Sequence, residues 1–264
     1  MKPASLNDLC RCAELERLLL VPAAGTGSRL GQSIPKLLVE IAGQSMIRRV
    51  LALHADFADR VAVIVNPSAL AGVRSHLSTS AMPIDLLVQR QATGMLDAIL
   101  LGMRLVERYR PRRVWITWCD QIALSPATLQ RLRAVDDTLP APDVAFPTWR
   151  TRDPYVHIER DSTGRITRVL HRREGDTMPN AGETDAGLFD LSFDAYVQHL
   201  PVYAASPEVG ARTGERNFVP FVAWMAARGT VATVDCSEPE EAIGVNTPEE
   251  LARIEAYLRA RESR

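Results

Sequence analysis

Cysteine is scarce: four in 264 residues, Cys10, Cys12, Cys119 and Cys236. Their spacing holds no paired Cys-x-x-Cys, and the five histidines form neither His-Glu-x-x-His nor His-x-His, so the common zinc frameworks are absent. A chain this long can bury a sizeable core without disulfides, so reduced thiols and a cytoplasmic location are expected. The opening MKPASLNDLCRCAELER has no apolar leader core, and no run of about 18 apolar residues occurs. Neither secretion nor membrane association is indicated. Charge of one sign is lacking too. Thirty-one basic and 32 acidic side chains create no global field for nucleic acid or membrane, so an anionic ligand needs a local site. The cluster RYRPRR (108–113) reads as a solvated face, too thin in aromatics for nucleic-acid binding. Repeats, low-complexity tracts and linkers are also missing, which predicts one domain over 17–261 behind an N-terminal arm (1–16).

What is present is alternation. RLLLVPA (17–23), RVAVIVN (60–66), IDLLVQ (84–89) and RRVWITWCD (112–120) are apolar runs suited to buried parallel strands. Helical patterns lie between them at 45–57, 68–77 and 94–109 and follow the last at 125–135, where proline takes the first helical position. Such a series predicts an α/β fold, Rossmann-like with three α/β/α layers around a mostly parallel mixed sheet, and ligands at the carboxyl ends of its strands. The second half changes character. Segments 143–149, 155–161, 165–172 and 186–192 are strand-like, with Thr163-Gly164 as a hairpin turn. PNAGETDAG (179–187) reads as a loop, 217–229 as a helix and 230–236 as a strand. A helix at 247–260 is capped by Thr247, and Glu250 completes a capping box.

The stretch VPAAGTGSRLGQSIPK (21–36) carries the chemistry. Leu30 sits where a dinucleotide fingerprint wants glycine, and Asn66 closes the second strand where a nicotinamide reader wants an acid. A P-loop fails as well, because Lys36 follows Pro35 rather than glycine. What remains is a loop of small residues, Ala23, Ala24, Gly25, Thr26 and Gly27, whose backbone N–H groups can wrap a triphosphate. Arg29 adds a planar fork for β- and γ-oxygens, and Lys36 a compact charge for the α-phosphate or an incoming phosphate.

This stretch resembles the signature Ala-Ala-Gly-x-Gly-x-Arg followed by Pro-Lys of the sugar-phosphate nucleotidyltransferases. The resemblance runs on through MIRRVL, VQRQATGMLDAI, VWITWCDQIALSPATLQRLR, GRITRVLHRR, TDAGLFD and EEAIGVNTPEELARIE, over about 17–261. In layout it is similar to the uridylyltransferase domain of N-acetylglucosamine-1-phosphate uridylyltransferases, without their acetyltransferase domain. It implies a GT-A-like fold with a nucleotide-binding half (17–136) and a smaller acceptor-binding lobe (137–261). It also implies Mg²⁺-dependent transfer of a nucleoside monophosphate from a nucleoside triphosphate to a small phosphorylated acceptor, such as a sugar 1-phosphate or cyclitol phosphate.

By this resemblance Asp120 and Asn246 are the magnesium ligands, and Arg29, Lys36 and Asp120 the catalytic residues. Asp120 has a second reading, as a cap for the helix at 125. Gln89 and Gly94 fall at base-contacting positions; Gln89 favours a pyrimidine and leaves guanine open, and could also be an exposed strand-end residue. Met95 stands where that domain usually has threonine. On the acceptor side the implied contacts are Trp118, His171, Asp185, Gly187 and Asn217, with His171 equally readable as a surface strand residue. Val156, His171 and Asp185 replace glycine, glutamate and asparagine, so the reaction carries over and the particular sugar does not. Cytidylyltransferases of polyol or other alcohol phosphates share VPAAG and TPEELARIEAYL and form the alternative, although CDQIAL replaces their DAARP-like motif. Glycosyltransferases of related fold want Asp-x-Asp, which is absent. A homo-oligomeric state stays open.

Overall fold

The computed structural model describes residues 15–25, 30, 34–205 and 209–263. Thr26, Gly27 and Arg29 of the glycine loop, and Cys10 and Cys12 of the arm, lie outside them. The first half runs β1 (Arg17–Pro22), β2 (Glu40–Ile41), β3 (Gln44–Ser45), α1 (Met46–His54), β4 (Arg60–Val65), α2 (Leu70–Leu77) and β5 (Ile84–Val88). It continues with α3 (Met95–Leu100), α4 (Met103–Tyr109), β6 (Arg113–Thr117) and α5 (Pro126–Val135). The second half holds β7 (Val144–Arg152), β8 (Val156–Arg160), β9 (Ile166–His171), β10 (Ala181–Asp185) and β11 (Leu188–Ser192). Then come α6 (Leu200–Ala204), α7 (Phe221–Ala226), β12 (Val231–Asp235) and α8 (Pro248–Glu262).

The four apolar runs of the first half form the parallel core β6-β1-β4-β5. Strand β1 alternates across the sheet: Leu19 and Val21 enter one core, Leu18 and Leu20 the other. Residues of α1, α2, α5 and α8 line the first core, and those of α3, α4 and α7 the second. Both faces of a parallel sheet are thereby covered, as its unbroken apolar strands require. Strand β11 joins antiparallel to β6, and β7 pairs with β10 and β11 and, in parallel, with β12. Strands from both halves therefore share one mixed sheet of eight. The β8–β9 hairpin turns at Gly164, whose φ of +84° is left-handed, as read from Thr163-Gly164. No helix among the described residues is long and apolar enough to cross a membrane.

Four departures from the sequence reading have physical causes. Residues 181–185 form a strand, not a loop: Ala, Gly, Glu and Asp have little β-propensity and only Thr184 favours a strand, but residues 181–185 pair with Arg152 through Thr148 of β7. The helix expected at 94–109 breaks into α3 and α4. There the Tyr196 hydroxyl donates to the Ile99 carbonyl, and Gly102 donates to the same oxygen at 3.0 Å. The helix expected at 217–229 starts only at Phe221, because Pro220 has no N–H to carry the helical ladder back toward residue 216.

The fourth departure is Arg113, read within a solvated cluster but 3% exposed. Its guanidinium lies 3.0 Å from Asp136 and 2.7 Å from Asp190, and Arg17 donates to Asp136 from β1. This buried quartet sits where β1 and β6 begin. Burial, aided by the Asp136 carboxylate and opposed by Arg113, pushes the Asp190 carboxyl up to about 7.

Candidate active site

The carboxyl edge of the sheet gathers most of the predicted residues. At the end of β1, the Ala23 N–H donates to Ile64 (2.7 Å), and the Asn66 amide, at the end of β4, donates to the Ala24 carbonyl (3.2 Å). Asn66 thus anchors the loop. Beside it Gly25 has nothing among the described residues within 4 Å of where a Cβ would sit. Gly25 is therefore not demanded by packing against the described residues, which leaves its backbone open to the phosphate contacts expected of the loop.

On the adjacent strand β6 the chain turns at Trp118 to Gln121. Asp120 does not cap α5: Ser125 does, its hydroxyl accepting from the Thr128 N–H at 3.1 Å. The Asp120 carboxylate meets the Lys36 ammonium instead. Lys36 opens a short 3-10 turn after Pro35, pinned by buried Leu37. Its Nζ also donates to Asn246 Oδ1 at 2.9 Å. That amide is oriented by its own Nδ2, which donates to the Gly244 carbonyl (3.1 Å). The Val245 N–H donates to the Asp120 carbonyl (3.3 Å), holding the two segments together. Thr247 and Glu250 form the expected capping box on α8, so Asn246 is not the cap. Residues 36, 120 and 246 therefore converge on one point.

Two hard oxygens, a carboxylate and an amide carbonyl, thus already face one cation. That donor set fits magnesium, which takes one or two protein oxygens and completes its shell with water and phosphate. Among the described residues no group of three His, Cys, Asp or Glu could form a softer site. Cys119 is buried and free, its thiol pushed up to about 12 by burial and by Asp120, which leaves it inert.

The sequence profile described as MobA-like NTP transferase domain matches residues 19–183. The chain belongs to that family. It is accordingly a nucleotidyltransferase, and the matched span takes in the glycine loop, Lys36, Gln89, Gly94 and Asp120 but ends before Asp185 and Asn246. Curated relatives include the bifunctional protein GlmU of Nitratidesulfovibrio vulgaris (strain DP4), 29% identical over 252 residues covering 92% of this chain and 52% of that protein. The bifunctional protein GlmU of Azorhizobium caulinodans is 30% identical over 256 residues, covering 94% and 54%. The chain spans about half the length of these relatives. A Bacillus anthracis protein described as a glucose-1-phosphate thymidylyltransferase, solved in complex with sucrose, matches with a TM-score of 0.74 at 18% identity. The match covers 92% of this chain and 95% of that one. It shows a common fold.

The residues read from the sequence as base contacts follow at the end of β5. Gln89 is 9% exposed, not an exposed strand end, and its Nε2 donates to the Gly94 carbonyl at 3.0 Å. Gly94 has φ +121°, and a Cβ there would lie 2.4 Å from the Arg216 backbone nitrogen. The direction a side chain would take is filled by protein backbone, a demand for glycine independent of any base. Met95 begins α3 and packs on the second core.

The acceptor candidates fall into two groups. Trp118, Asp185 and Gly187 are together: the Trp118 N–H donates to Gly187 (3.1 Å), and the Gly187 N–H donates to Asp185 Oδ1 (2.8 Å). Gly187, at φ +65°, leaves no room for a Cβ, which would meet Gln121 Cγ at 2.4 Å. His171, at the end of β9, and Asn217 lie outside the eight-stranded sheet. Asn217 donates to Glu174 (3.0 Å), and its neighbour Phe218 packs edge-on to Trp118 with centroids 6.1 Å apart. His171 is half-buried against Tyr155 rather than a surface residue, and burial lowers its pKa. The sequence reading passed over Gln121 and Glu174. Gln121 is 5% exposed, and its buried Oε1 has no hydrogen-bond partner among the described residues. Only its place next to Asp120 hinted at it.

Burial pushes the Asp185 carboxyl up to about 6, against the Gly187 N–H that favours its anion. The folded state therefore holds this proton more tightly than the unfolded chain. Stability contributed by Asp185 is full below pH 4 and is lost as pH rises toward 6. With a tenfold change in proton affinity worth about 1.4 kcal/mol, the loss is on the order of 3 kcal/mol. Because His54, lowered to about 4, and Asp190, raised to about 7, titrate over the same range, the test is the difference between variants: urea unfolding from pH 4 to 7 should show Asp185→Asn gaining on wild type by that amount.

Proposed function

We propose that residues 17–261 work as one nucleotidyltransferase domain that joins a nucleoside monophosphate to a sugar 1-phosphate or cyclitol phosphate and releases pyrophosphate. The observation that supports this reading is the meeting of Lys36, Asp120 and Asn246 beside the Ala23–Gly25 loop. An acceptor phosphate oxygen forms a bond to the α-phosphorus while the bond from that phosphorus to the bridging oxygen of pyrophosphate breaks. The nucleophile is already an anion, so neither His171 nor Asp185 needs to act as a base. What remains is positioning and cancellation of charge. Asp120 and Asn246 would hold the magnesium ion, which when bound supplies charge neutralisation at the phosphate oxygens. Lys36 places its ammonium against the transferring phosphoryl group, and Arg29 steadies the departing pyrophosphate. Backbone N–H groups of 24–27 bind the triphosphate, while Ala23, whose own N–H goes to Ile64, lines the cradle only by its small side chain; Gln89 and the 94–95 turn bind the base. Trp118, Asp185 and Gly187 receive the acceptor, with His171 and Asn217 at its far side.

The test is product identification by mass spectrometry from the four nucleoside triphosphates, Mg²⁺ and a panel of hexose, amino-sugar, cyclitol and polyol phosphates. The expected product is a nucleoside diphosphate joined to a sugar or cyclitol. Formation of a CDP-polyol alone would transfer the assignment to the cytidylyltransferase alternative.

A further inference from the structure

Residues 210–217 have no strand or helix of their own, so their position is set by what grips them. On one side the grip comes from the turn after β9. The Glu174 carboxylate accepts from the backbone N–H of Arg212 (3.1 Å) and Thr213 (3.2 Å), the Thr213 hydroxyl (2.7 Å) and the Asn217 amide (3.0 Å). Beside it Arg173 forks onto Glu215, both contacts at 2.9 Å. A Cβ at Gly210 would lie 2.3 Å from the Glu174 carboxylate, so a larger residue there would have to displace Glu174 from these bonds. Burial alone would push that carboxyl up; the bonds from Asn217, Thr213 and Arg212 hold it at about 2.

On the other side the grip comes from the nucleotide half. The Arg216 N–H donates to Thr93 (2.9 Å), the Leu96 N–H donates to Arg216 (3.0 Å), and the Arg216 guanidinium pairs with Asp97 at 2.6 Å. Gly94, enclosed by the Arg216 backbone, is in turn held by Gln89. A continuous chain of contacts thus runs from Glu174 through Asn217 and Arg216 to Gly94 and Gln89.

We propose that residues 210–217 are a strap coupling the base-side turn (93–97) to the acceptor side, with Glu174 as its positioning residue. Ordering of either side then favours the other, and the effect is reciprocal. Only its kinetic consequence rests on the nucleotidyltransferase reading.

The test is hydrogen exchange on the full chain, wild type against Glu174→Gln and Asp97→Asn. In Glu174→Gln the Leu96 and Arg216 amides should exchange about tenfold faster, although they lie on the far side of the strap. Asp97→Asn should likewise speed the Arg212 and Thr213 amides, which covers the case that Glu174→Gln does not fold. Faster exchange confined in each variant to its own side would overturn the proposal. With the nucleoside triphosphate that supports turnover, Glu174→Gln should raise its KM about tenfold and change kcat less, and Glu174→Asp should restore part of the loss. An unchanged nucleotide KM beside a raised acceptor KM would reduce Glu174 to a local acceptor-side brace. If no triphosphate turns over, the function proposed above fails while the exchange result still decides the strap.

Discussion

Lys36→Ala should lower kcat by about 10²–10³-fold, the loss of about 2.7–4 kcal/mol expected when one preorganised electrostatic group is removed from a reacting centre. The reasoning begins with geometry. Lys36 is carried by a short turn whose neighbour Leu37 is 1% exposed, so the ammonium is aimed by packing. It faces both Asp120 and Asn246, the two side chains proposed above as magnesium ligands. A charge fixed there acts on the phosphoryl group as negative charge redistributes in the transition state, so kcat should fall more than KM rises. Lys36→Arg should rescue little, because a planar fork does not reproduce a compact ammonium. Steady-state kinetics with the productive substrate pair check both points, and an unchanged kcat in folded Lys36→Ala would remove Lys36 from the reacting centre.

Asp136→Ala should destabilise the fold by about 3–5 kcal/mol, because removing one member of a buried ionic group strands its partners. Asp136 is 2% exposed and receives both Arg17 and Arg113 at the start of the two central strands. Without it, the buried Arg17 guanidinium loses its carboxylate, and Arg113 keeps Asp190 as its one remaining carboxylate among the described residues. For a chain of this size the thermal midpoint should fall on the order of 10 °C. The quartet lies at the amino ends of β1 and β6, opposite Asp120, so activity per folded molecule should stay near wild type. A midpoint within a degree of wild type would show that the two arginines find solvent or other partners.

The contrast between these sites explains what the sequence revealed. Strands β1, β4 and β6 were legible because a parallel strand covered on both faces is an unbroken apolar run. That Lys36, Asp120 and Asn246 lie together was legible through the resemblance, which assigns all three to one centre, whereas Thr26, Gly27 and Arg29 of the loop lie outside the described residues. The quartet was hidden, since Arg17, Arg113, Asp136 and Asp190 are ordinary surface residue types until the sheet pairs β1 with β6 and β6 with β11. Strand β10 was hidden for a related reason, its pairing with β7 outweighing its composition. Glu174 carried no local signal at all; its partners lie 38 to 43 positions away.

The central claim is that a loop of small residues, Lys36 and two oxygen ligands serve one nucleoside triphosphate. Its most direct measurement is pyrophosphate release by the wild-type chain with each triphosphate and Mg²⁺, before and after adding the phosphate panel. Release that begins only when an acceptor phosphate is added is the predicted result. Triphosphate binding with no release from any pair in the panel would contradict the account.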